Sequence, residues 1–561
     1  MLAMLAGCPE RGGGRTEEQS QAPATAPDQR PERPSTTAVE PARPADERAT
    51  VIVRLEAEPA HLNPLASADA LVARVAMGDI YEGLLCLQAV DEPARPCLAR
   101  AFDVSDDGAV WTFAMRPGVR WHDGTPMTSA DVLYTYELLT GVPARAARGA
   151  DGRADGATED RSEPKGVVRR PLASWLAGEF DDLRRLEGVD DATVRMTFAG
   201  FRMARREAFA RVPILPRHIF AGRSPADWAT AEANRVPVGT GPLRYQSWVA
   251  GQEIALTRFA DYWGKAAGAA RIRYRIVGSR TRALRALEAG SLQVAPRLPV
   301  EEALASARAH EHLRVHAATA PSYLAAVYNT QHPLLADSSV RRALGWLMDR
   351  PSMSEALFAG HAQLIAGPHL IGDPDRDPDI APLPYRPAAA REALQQIAGE
   401  KRALRVLVPA ESRTMRRLAD VWAADVRSET ESLAARAVTL DIETAAYADV
   451  LGRLREGRFD IALMAFTSGL DLDLFSRFHS GEAENYGGLA DEHLDQALRA
   501  VRREPDPQAR RRLQRAVQMR LHQLQPYTFI LSGAQVGLVH QRIGGFANVS
   551  LGARGLWSAQ P

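Results

Sequence analysis

A short alternating segment gives the clearest local structure in the chain. The segment V-W-T-F-A-M-R, residues 110–116, alternates large apolar side chains with smaller or polar ones, which predicts a half-buried strand. Asp106-Asp107-Gly108 directly before it is a turn signal that follows another short apolar run. Together they predict a β-hairpin, because Asp-Gly pairs favour the backbone conformations of tight turns.

A helix is expected to begin at Thr128. Thr128 and Asp131 have the spacing of a capping box, with aspartate in place of the usual glutamate or glutamine. A second short strand is predicted before it over residues 119–121, between Pro117-Gly118 and His122-Asp123-Gly124.

Strands and helices alternate through the remainder of the chain. Apolar positions recur at helical spacing in residues 70–84, 280–289, 340–347, 388–397, 414–428 and 447–455. Strand-like runs occupy residues 51–55, 254–257, 273–277, 404–408, 437–442 and 459–465. This alternation predicts an α/β fold with mixed sheets.

Two segments lack the apolar side chains that a core requires. Residues 9–49 consist mainly of Pro, Ala, Glu, Arg, Thr and Gln and are predicted to be a disordered tether. Residues 141–170 are rich in Gly, Ala, Arg and Asp and are predicted to be a flexible surface insertion. With 561 residues, the chain is long enough for two or three domains.

Charge and motifs exclude several classes of function. The 69 basic and 69 acidic side chains balance, so the composition gives no electrostatic reason to expect a nucleic-acid partner. The sequence contains no nucleophile–base signature, phosphate-binding loop or zinc-protease motif. We therefore predict that the protein is not an enzyme and has no catalytic residues, metal site or cofactor.

The N-terminus has the form of a lipoprotein processing site. Leu5-Ala6-Gly7-Cys8 matches a bacterial lipobox, in which Cys8 would carry the lipid, and residues 1–8 would be the remnant of the signal. An incidental cysteine is the alternative, because the apolar start is short and has no basic residues before it. The long polar segment behind Cys8 favours the lipid anchor.

The remaining two cysteines form an even pair. Cys86 and Cys97 flank Asp91-Glu92-Pro93, a candidate turn, and could face each other across a hairpin. In an oxidising compartment a disulfide is expected, with two buried thiols as the alternative.

The order of motifs along the chain resembles one family. Besides residues 96–134, the resemblance rests on Pro237-Val238-Gly239-Thr240-Gly241-Pro242-Leu243, Asp261-Tyr262-Trp263-Gly264, Tyr328-Asn329-Thr330, 337–350 and 385–394. Over residues 50–556 the chain resembles bacterial extracellular solute-binding protein family 5, the peptide and nickel class of ABC-importer receptors. The resemblance implies a two-lobed periplasmic-binding-protein-like (type II) fold with mixed sheets and an additional domain on the first lobe.

The resemblance also implies the domain boundaries. Lobe I would comprise residues 50–80, 237–319 and 527–561, and lobe II residues 320–526. Residues 81–236 would form a second domain packed on lobe I.

Candidate ligand-binding residues are carried over from the family pattern. Asp471 lies after a predicted strand, where relatives hold the ammonium group of a peptide, and a solvated loop acid is the alternative. Asn485 and Tyr486 match a region that faces the cleft in relatives. Asn63 and Trp121 are the other two candidates, each with a structural role as the alternative.

The resulting hypothesis is a solute-binding lipoprotein of an ABC importer. It would act as a monomer at the periplasmic or cell-surface side of the membrane, and would capture an oligopeptide or similar small solute by lobe closure. Its partners would be the permease subunits in the membrane, to which the lipid anchors it. The alternatives are a solute-sensing receptor of the same fold and a degenerate structural lipoprotein.

Overall fold

The computed structural model describes residues 50–87, 93–145, 176–202, 204–223, 231–396, 402–436, 438–468 and 472–544. Cys8, the predicted tether, Asp471 and most of the predicted insertion lie outside these residues. None of the helices in the described part is both long enough and apolar enough to span a membrane.

Twenty strands are present in the described residues. They are β1 Thr50–Leu55, β2 Leu85–Cys86, β3 Arg95–Pro96, β4 Ala99–Val104, β5 Val110–Met115, β6 Ala144–Arg145, β7 Leu183–Asp190, β8 Thr193–Phe198, β9 Leu243–Val249, β10 Glu253–Arg258, β11 Arg271–Ile276, β12 Val294–Leu298, β13 Leu313–Thr319, β14 Ser322–Tyr328, β15 Gln363–Leu364, β16 Arg402–Pro409, β17 Val438–Ala445, β18 Ile461–Thr467, β19 Tyr527–Ser532 and β20 Ala534–His540.

The α-helices of the same residues cover the sheets. They are α1 Ala70–Ala76, α2 Ser129–Thr140, α3 Arg205–Arg211, α4 Arg217–Phe220, α5 Arg280–Glu288, α6 Val300–Ala309, α7 Ser338–Trp346, α8 Arg350–Phe358, α9 Pro387–Gln395, α10 Arg413–Thr430, α11 Tyr447–Arg455, α12 Phe475–Phe478, α13 Glu492–Arg503 and α14 Pro507–Leu524.

Three larger sheets organise the molecule. Sheet A has the strand order β13-β20-β12-β1-β11-β10-β9, sheet B the order β4-β5-β8-β7-β6, and sheet C the order β15-β19-β14-β18-β16-β17. Sheets A and C each contain parallel and antiparallel pairs. The predicted mixed α/β architecture is therefore confirmed.

The cores follow these sheets. One continuous apolar cluster joins residues of sheet A, such as Val53 and Tyr274, with residues of sheet B, such as Phe113 and Met196. Sheet C has apolar clusters on its two faces, one containing Trp422 and the other Phe478 and Leu494. Sheet B thus packs on sheet A through a shared core, whereas sheet C has its own.

Two neighbouring segments connect sheets A and C. The chain passes from β13 to β14 through Ala320 and Pro321, and returns from β19 to β20 through Gly533. The N–H of Ala320 donates to the Gly533 carbonyl at 2.9 Å. The single proton of the Ser532 hydroxyl is shared between the carbonyls of Ala320 and Ser322, which lie 3.1 and 2.9 Å away. The two crossings therefore form one narrow connection.

This connection corrects one predicted boundary. The sequence places the return to lobe I at residue 527, but β19 pairs with β14 and β15 in sheet C. Residues 527–532 are a fully buried strand, so periodicity alone cannot assign them to either sheet. The chain leaves sheet C six residues later than predicted, at Gly533.

Local predictions agree with the structure where turns and caps determine them. The β4–β5 hairpin turns at Gly108, which has φ +68°. Asp131 accepts a hydrogen bond from the Thr128 N–H at 2.9 Å as helix α2 begins.

Predictions that relied on short apolar runs agree less well. The helix predicted over 70–84 ends at Ala76, because the backbone turns at Gly78 with φ +82°. The strand predicted over 119–121 is only an isolated bridge between Arg120 and Pro126. The insertion begins later than predicted, because Ala144 and Arg145 pair with β7.

The crossing at residues 239–241 is a close contact between backbones. A Cβ added to Gly239 would lie 1.9 Å from the Ile80 carbonyl oxygen, and one added to Gly241 would lie 2.4 Å from that of Asp79. Neutral His122 holds the same crossing, since Nδ1 accepts from the Gly239 N–H at 3.2 Å and Nε2 lies 2.9 Å from the Gly241 carbonyl.

Candidate functional site

The carboxyl ends of the parallel strands in sheets A and C lie on the two sides of the narrow connection. In sheet A, β1 runs parallel to β12, and the end of β12 pairs with the start of β20 at Leu298 and Val536. In sheet C, β16 runs parallel to β18, whose end pairs with the start of β14 at Thr467 and Ser322. Since β20 and β14 both begin at the connection, the two carboxyl edges are adjacent there. Such edges are where ligands bind in open α/β sheets.

The edge of sheet A carries a buried group of charged side chains. Glu56 follows β1 directly, and its Oε2 accepts from Arg74 Nη1 of helix α1 at 2.5 Å. Arg297 lies on β12, and burial together with the nearby Arg74 cation lowers its pKa. Burial is also the main cause of the lowered pKa of Arg54 on β1. Glu302 is a further acid and Arg280 a further cation near Arg54, so arginines predominate at this edge and acids lie among them.

The arginines of this edge differ in how they are bound. Arg54 donates from Nε to the Val277 carbonyl at 2.9 Å and from Nη2 to that of Gly278 at 3.1 Å. Arg74 is only 4% exposed, and its Nε and Nη2 have no hydrogen-bond partner among the described residues. Arg54 thus belongs to the framework, whereas Arg74 presents two unused buried donors.

The edge of sheet C is built from the residues that follow β16, β17 and β18. Ser468 follows β18 and donates from its hydroxyl to the Pro368 carbonyl at 2.8 Å. Beside Pro368, the buried His369 makes a 2.7 Å contact from Nδ1 to Asp373 Oδ2, and its Nε2 has no partner in the described residues.

A cavity of about 300 Å³ lies at the same edge. It is lined by Ala410 and Thr444 and by the α10 residues Arg413, Arg416, Arg417 and Asp420.

Asp471 and Asp473 are the two acids that follow β18 in the sequence. Asp471 lies outside the described residues. Asp473 accepts from the N–H of Phe475, the first residue of α12, at 3.0 Å, and its other oxygen accepts from Arg502 Nε at 2.7 Å. Both carboxylate oxygens of Asp473 are therefore bonded within the fold.

Asn63 and Trp121 have roles within the fold. Asn63 is fully buried, donates to Asn234 Oδ1 at 2.8 Å and accepts from the Leu65 N–H at 3.0 Å. Trp121 is also fully buried, in the core shared by sheets A and B. Their side chains take part in turn formation and packing.

Asn485 and Tyr486 lie toward the opposite edge of sheet C. Asn485 donates to the Leu489 carbonyl at 2.7 Å and accepts from the Leu489 N–H at 3.2 Å, so it closes its own turn. The following Gly487 carbonyl accepts from the Thr330 N–H, which lies beyond the far end of β14. Tyr486 is half-buried and packs against the apolar cluster around Phe478. The structure thus separates Asn485 from the edge that carries Ser468.

The two remaining cysteines are joined in a disulfide, with Cα atoms 5.4 Å apart. Beside it lies the buried Glu82, whose Oε1 is 3.6 Å from Cys97 Sγ. These three side chains also have the spacing of metal ligands, but both sulfurs are used in the disulfide.

Comparisons with known proteins agree with this architecture. Residues 94–485 match the model described as "Bacterial extracellular solute-binding proteins, family 5 Middle". The chain belongs to this family. Its members are extracytoplasmic solute-binding proteins of ABC importers, so the predicted family, fold and class of function are confirmed.

Individual relatives are distant in sequence and match between 60% and 91% of this chain. Protein XP55 from Streptomyces lividans is 24% identical over 498 residues, which cover 86% of this chain and 83% of XP55. The glutathione-binding protein GsiB from Pectobacterium atrosepticum is 26% identical over 60% of this chain and 58% of its own length. The crystal structure of the ABC transporter substrate binding protein CtaP from Listeria monocytogenes superposes with a TM-score of 0.76 at 20% identity, covering 91% of this chain and 99% of CtaP.

Sequence reasoning missed the charged group at the edge of sheet A. Arg74 lies in a predicted helix, and Arg297 has no neighbour in sequence that marks it as functional, whereas Glu56 opens the segment after the first strand where relatives contact the ligand. A signal was nevertheless available, since an arginine on the apolar face of a helix requires a buried partner.

Proposed function

We propose that this family 5 protein captures a peptide or similar small solute between the carboxyl edges of sheets A and C and passes it to the permease subunits of an ABC importer. Sheets A and B would form one lobe and sheet C the other. The observation that carries the proposal is the pair of adjacent edges on the two sides of one narrow connection.

Closure of the lobes would be the mechanism. Only the two crossings at residues 320–321 and 533 need to change their backbone angles for the sheets to move as rigid bodies. A solute that contacts both edges favours the closed form by its differential affinity for that form.

A peptide-like solute is supported by both chemistry and relatives. The relative GsiB is named for binding glutathione, a small peptide. In this chain one edge carries excess arginine, and the loop at the other carries acidic side chains, so a solute with both an ammonium and a carboxylate group would be complementary to the cleft.

Attachment to the membrane would come from lipid on Cys8. The support is the lipobox at residues 5–8 and the long polar segment that separates it from the first strand. A single acyl chain binds membranes weakly, so anchoring requires the several chains of a bacterial lipoprotein.

Native mass spectrometry of protein purified from its own host tests the function directly. We expect a bound solute of small-peptide mass, released when the protein is denatured. Protein that carries no solute and binds none from a peptide library in calorimetric titration would contradict the proposal.

Asp471 provides a matched pair of variants for the same proposal. Asp471→Ala is expected to weaken solute binding by about 2–5 kcal/mol, the cost of removing one partner of a buried charge pair. Asp473→Ala is the control, because the Asp473 carboxylate is already bonded to the Phe475 N–H and to Arg502. Its loss is expected to lower stability by about 1 kcal/mol and to leave the affinity nearly unchanged.

A further inference from the structure

A single arginine at the edge of sheet A has an unused binding face. The guanidinium of Arg74 bonds Glu56 through Nη1 only. Its Nε and Nη2 are buried and have no hydrogen-bond partner among the described residues. Buried donors of a charged group are costly when unsatisfied, by about 1–3 kcal/mol or more, so their persistence in the fold points to a partner that arrives from outside.

The two unused donors lie on one side of the guanidinium, where a carboxylate fits in bidentate fashion. Other arginines of this chain use the same pair of atoms in this way. Arg520 donates from Nε and Nη2 to the two oxygens of Asp491 at 3.0 and 2.6 Å, and Arg273 does so to those of Glu253 at 3.1 and 2.6 Å. Arg74 has this geometry without the carboxylate.

The backbone at Arg297 brings a second cation to the same place. Arg297 has φ +54°, a left-handed conformation that is unfavourable for a residue with a side chain. The β12–β20 register shifts between Ala295 and Leu298, which marks a bulge around it. Bulges and strained backbone occur at binding sites because they re-aim a side chain.

Charges of both signs lie at this edge. Glu56 is the acid in direct contact with Arg74, and Asp69 is a more distant neighbour of Arg297. Glu302 and Arg280 are further charged neighbours of Arg54. Arg74 has two buried donors with no hydrogen-bond partner among the described residues, so it is the cation that an incoming anion would satisfy.

We propose that Arg74 binds a carboxylate of the solute through Nε and Nη2, with Arg297 as the second cation. This inference rests on the proposed function and adds the chemical class of the solute: it must carry a carboxylate that enters at the edge of sheet A. A peptide would place its C-terminal carboxylate there and its ammonium group toward sheet C.

The test compares two libraries of tripeptides, one with free C-terminal carboxylates and one amidated, in competition binding measured by native mass spectrometry and calorimetry. The wild-type protein is expected to prefer the free acids at least tenfold, roughly the effect of one bidentate ion pair. In Arg74→Met the ratio is expected to fall to about one, and in Arg74→Lys to an intermediate value, because lysine keeps the charge without the planar fork.

Two further variants separate binding from folding. Arg297→Gly is expected to remain folded, because glycine suits the positive φ, and to lower the preference for free acids. Arg273→Met is the matched control, since its fork is already occupied by Glu253 on the solvent side of sheet A. It is expected to keep the wild-type ratio.

The outcomes distinguish this inference from the proposed function. Equal binding of acids and amides by the wild type would overturn the carboxylate site and leave the solute-binding function intact. A preference that survives in both Arg74→Met and Arg297→Gly would do the same. Absence of binding by either library would reject the function, and the carboxylate site with it.

Discussion

Glu82 is a buried acid that joins three parts of the structure. Its Oε2 accepts from Trp263 Nε1 and from the Thr240 hydroxyl, both at 3.0 Å, and its Oε1 accepts from the Tyr262 hydroxyl at 2.8 Å. Burial raises the pKa of Glu82 to about 7 in spite of these hydrogen bonds and the nearby Arg116. The carboxyl therefore titrates near neutral pH within the sheet A–B core.

The pKa of His122 is shifted in the opposite sense. Burial lowers it to about 4, and protonation of Nδ1 would break the bond from the Gly239 N–H. Between about pH 4.5 and 6.5 the folded Glu82 binds more protons than the unfolded one, and the folded His122 binds fewer. Stability from Glu82 therefore falls as pH rises, whereas stability from His122 increases.

Replacing one of these two titrating groups should reveal the pH dependence of stability that the other contributes. In Glu82→Gln the free energy of unfolding is expected to rise with pH between 5 and 7 more steeply than in the wild type, by up to about 1 kcal/mol per pH unit. Urea denaturation at pH 5, 6 and 7 measures this slope. In His122→Asn the free energy of unfolding should rise less with pH than in the wild type, or fall. If its slope against pH is the same in all three proteins, both the raised pKa of Glu82 and the lowered pKa of His122 are contradicted.

Sequence identifies residues whose role is local and misses those whose role depends on distant partners. The cysteine pair and the Thr128–Asp131 cap are visible in the sequence because turn and cap chemistry act over a few residues. Arg74 and Arg297 are not, because only the parallel pairing of β1 and β12 brings their elements together. Asn63 and Asn485 are turn residues that the family pattern places near the ligand and the structure uses for backbone hydrogen bonds.

At the scale of elements, the glycine crossing of residues 239–241 is the most constrained connection. The carbonyls of Ile80 and Asp79 occupy the space where side chains would begin. In addition, the Gly241 N–H donates to the Ile80 carbonyl at 2.9 Å. The strand β9 can therefore leave the crossing only if both positions lack a Cβ.

Substitution at this crossing should be much more damaging than at a glycine within a helix. Gly239→Ala is expected to destabilise the protein by about 3 kcal/mol or more, because backbone atoms must move to remove the clash. Gly452→Ala in α11, where an added Cβ meets no atom within 4 Å, should stabilise it by about 0.5–1 kcal/mol. Thermal unfolding followed by circular dichroism compares the two, and equal effects would show that the crossing is not tightly packed.

The order of elements was largely predictable, but their assignment to sheets was not. The predicted helix 447–455 has the observed bounds, and the predicted strand 404–408 lies inside β16. By contrast, β19 is buried along its entire length, so no alternation reveals which sheet it joins. Pairing is determined by contacts between distant segments, and those do not appear in a local pattern.

On the scale of the whole molecule, sheets B and C meet at a point away from the narrow connection. Phe201, which follows β8, packs against the apolar cluster of sheet C, and the Arg510 guanidinium of α14 lies 5.2 Å from its ring. The turn of the β4–β5 hairpin supports the ring, because Gly108 is in contact with it. This contact joins sheets B and C at a place other than the two crossings.

Shortening Phe201 should favour separation of the sheets. In Phe201→Ala without solute, small-angle X-ray scattering is expected to give a larger radius of gyration than in the wild type. The affinity for solute should fall by about threefold to tenfold, because binding must then supply about 1 kcal/mol for closure. Val189→Ala, at an exposed apolar position of sheet B, should change neither, and an unchanged radius in Phe201→Ala would show that Phe201 does not influence closure.

The narrow connection also bears on how such a protein can be recombined. Everything between residues 320 and 533 is one continuous stretch of gene, and its two ends meet at the 2.9 Å hydrogen bond from Ala320 to Gly533. A segment whose ends touch can be exchanged between related genes without re-routing the host chain. Sheet C and its edge could thus be replaced in a single genetic event, leaving sheet A, with its arginines and the solute preference proposed for them, unaltered.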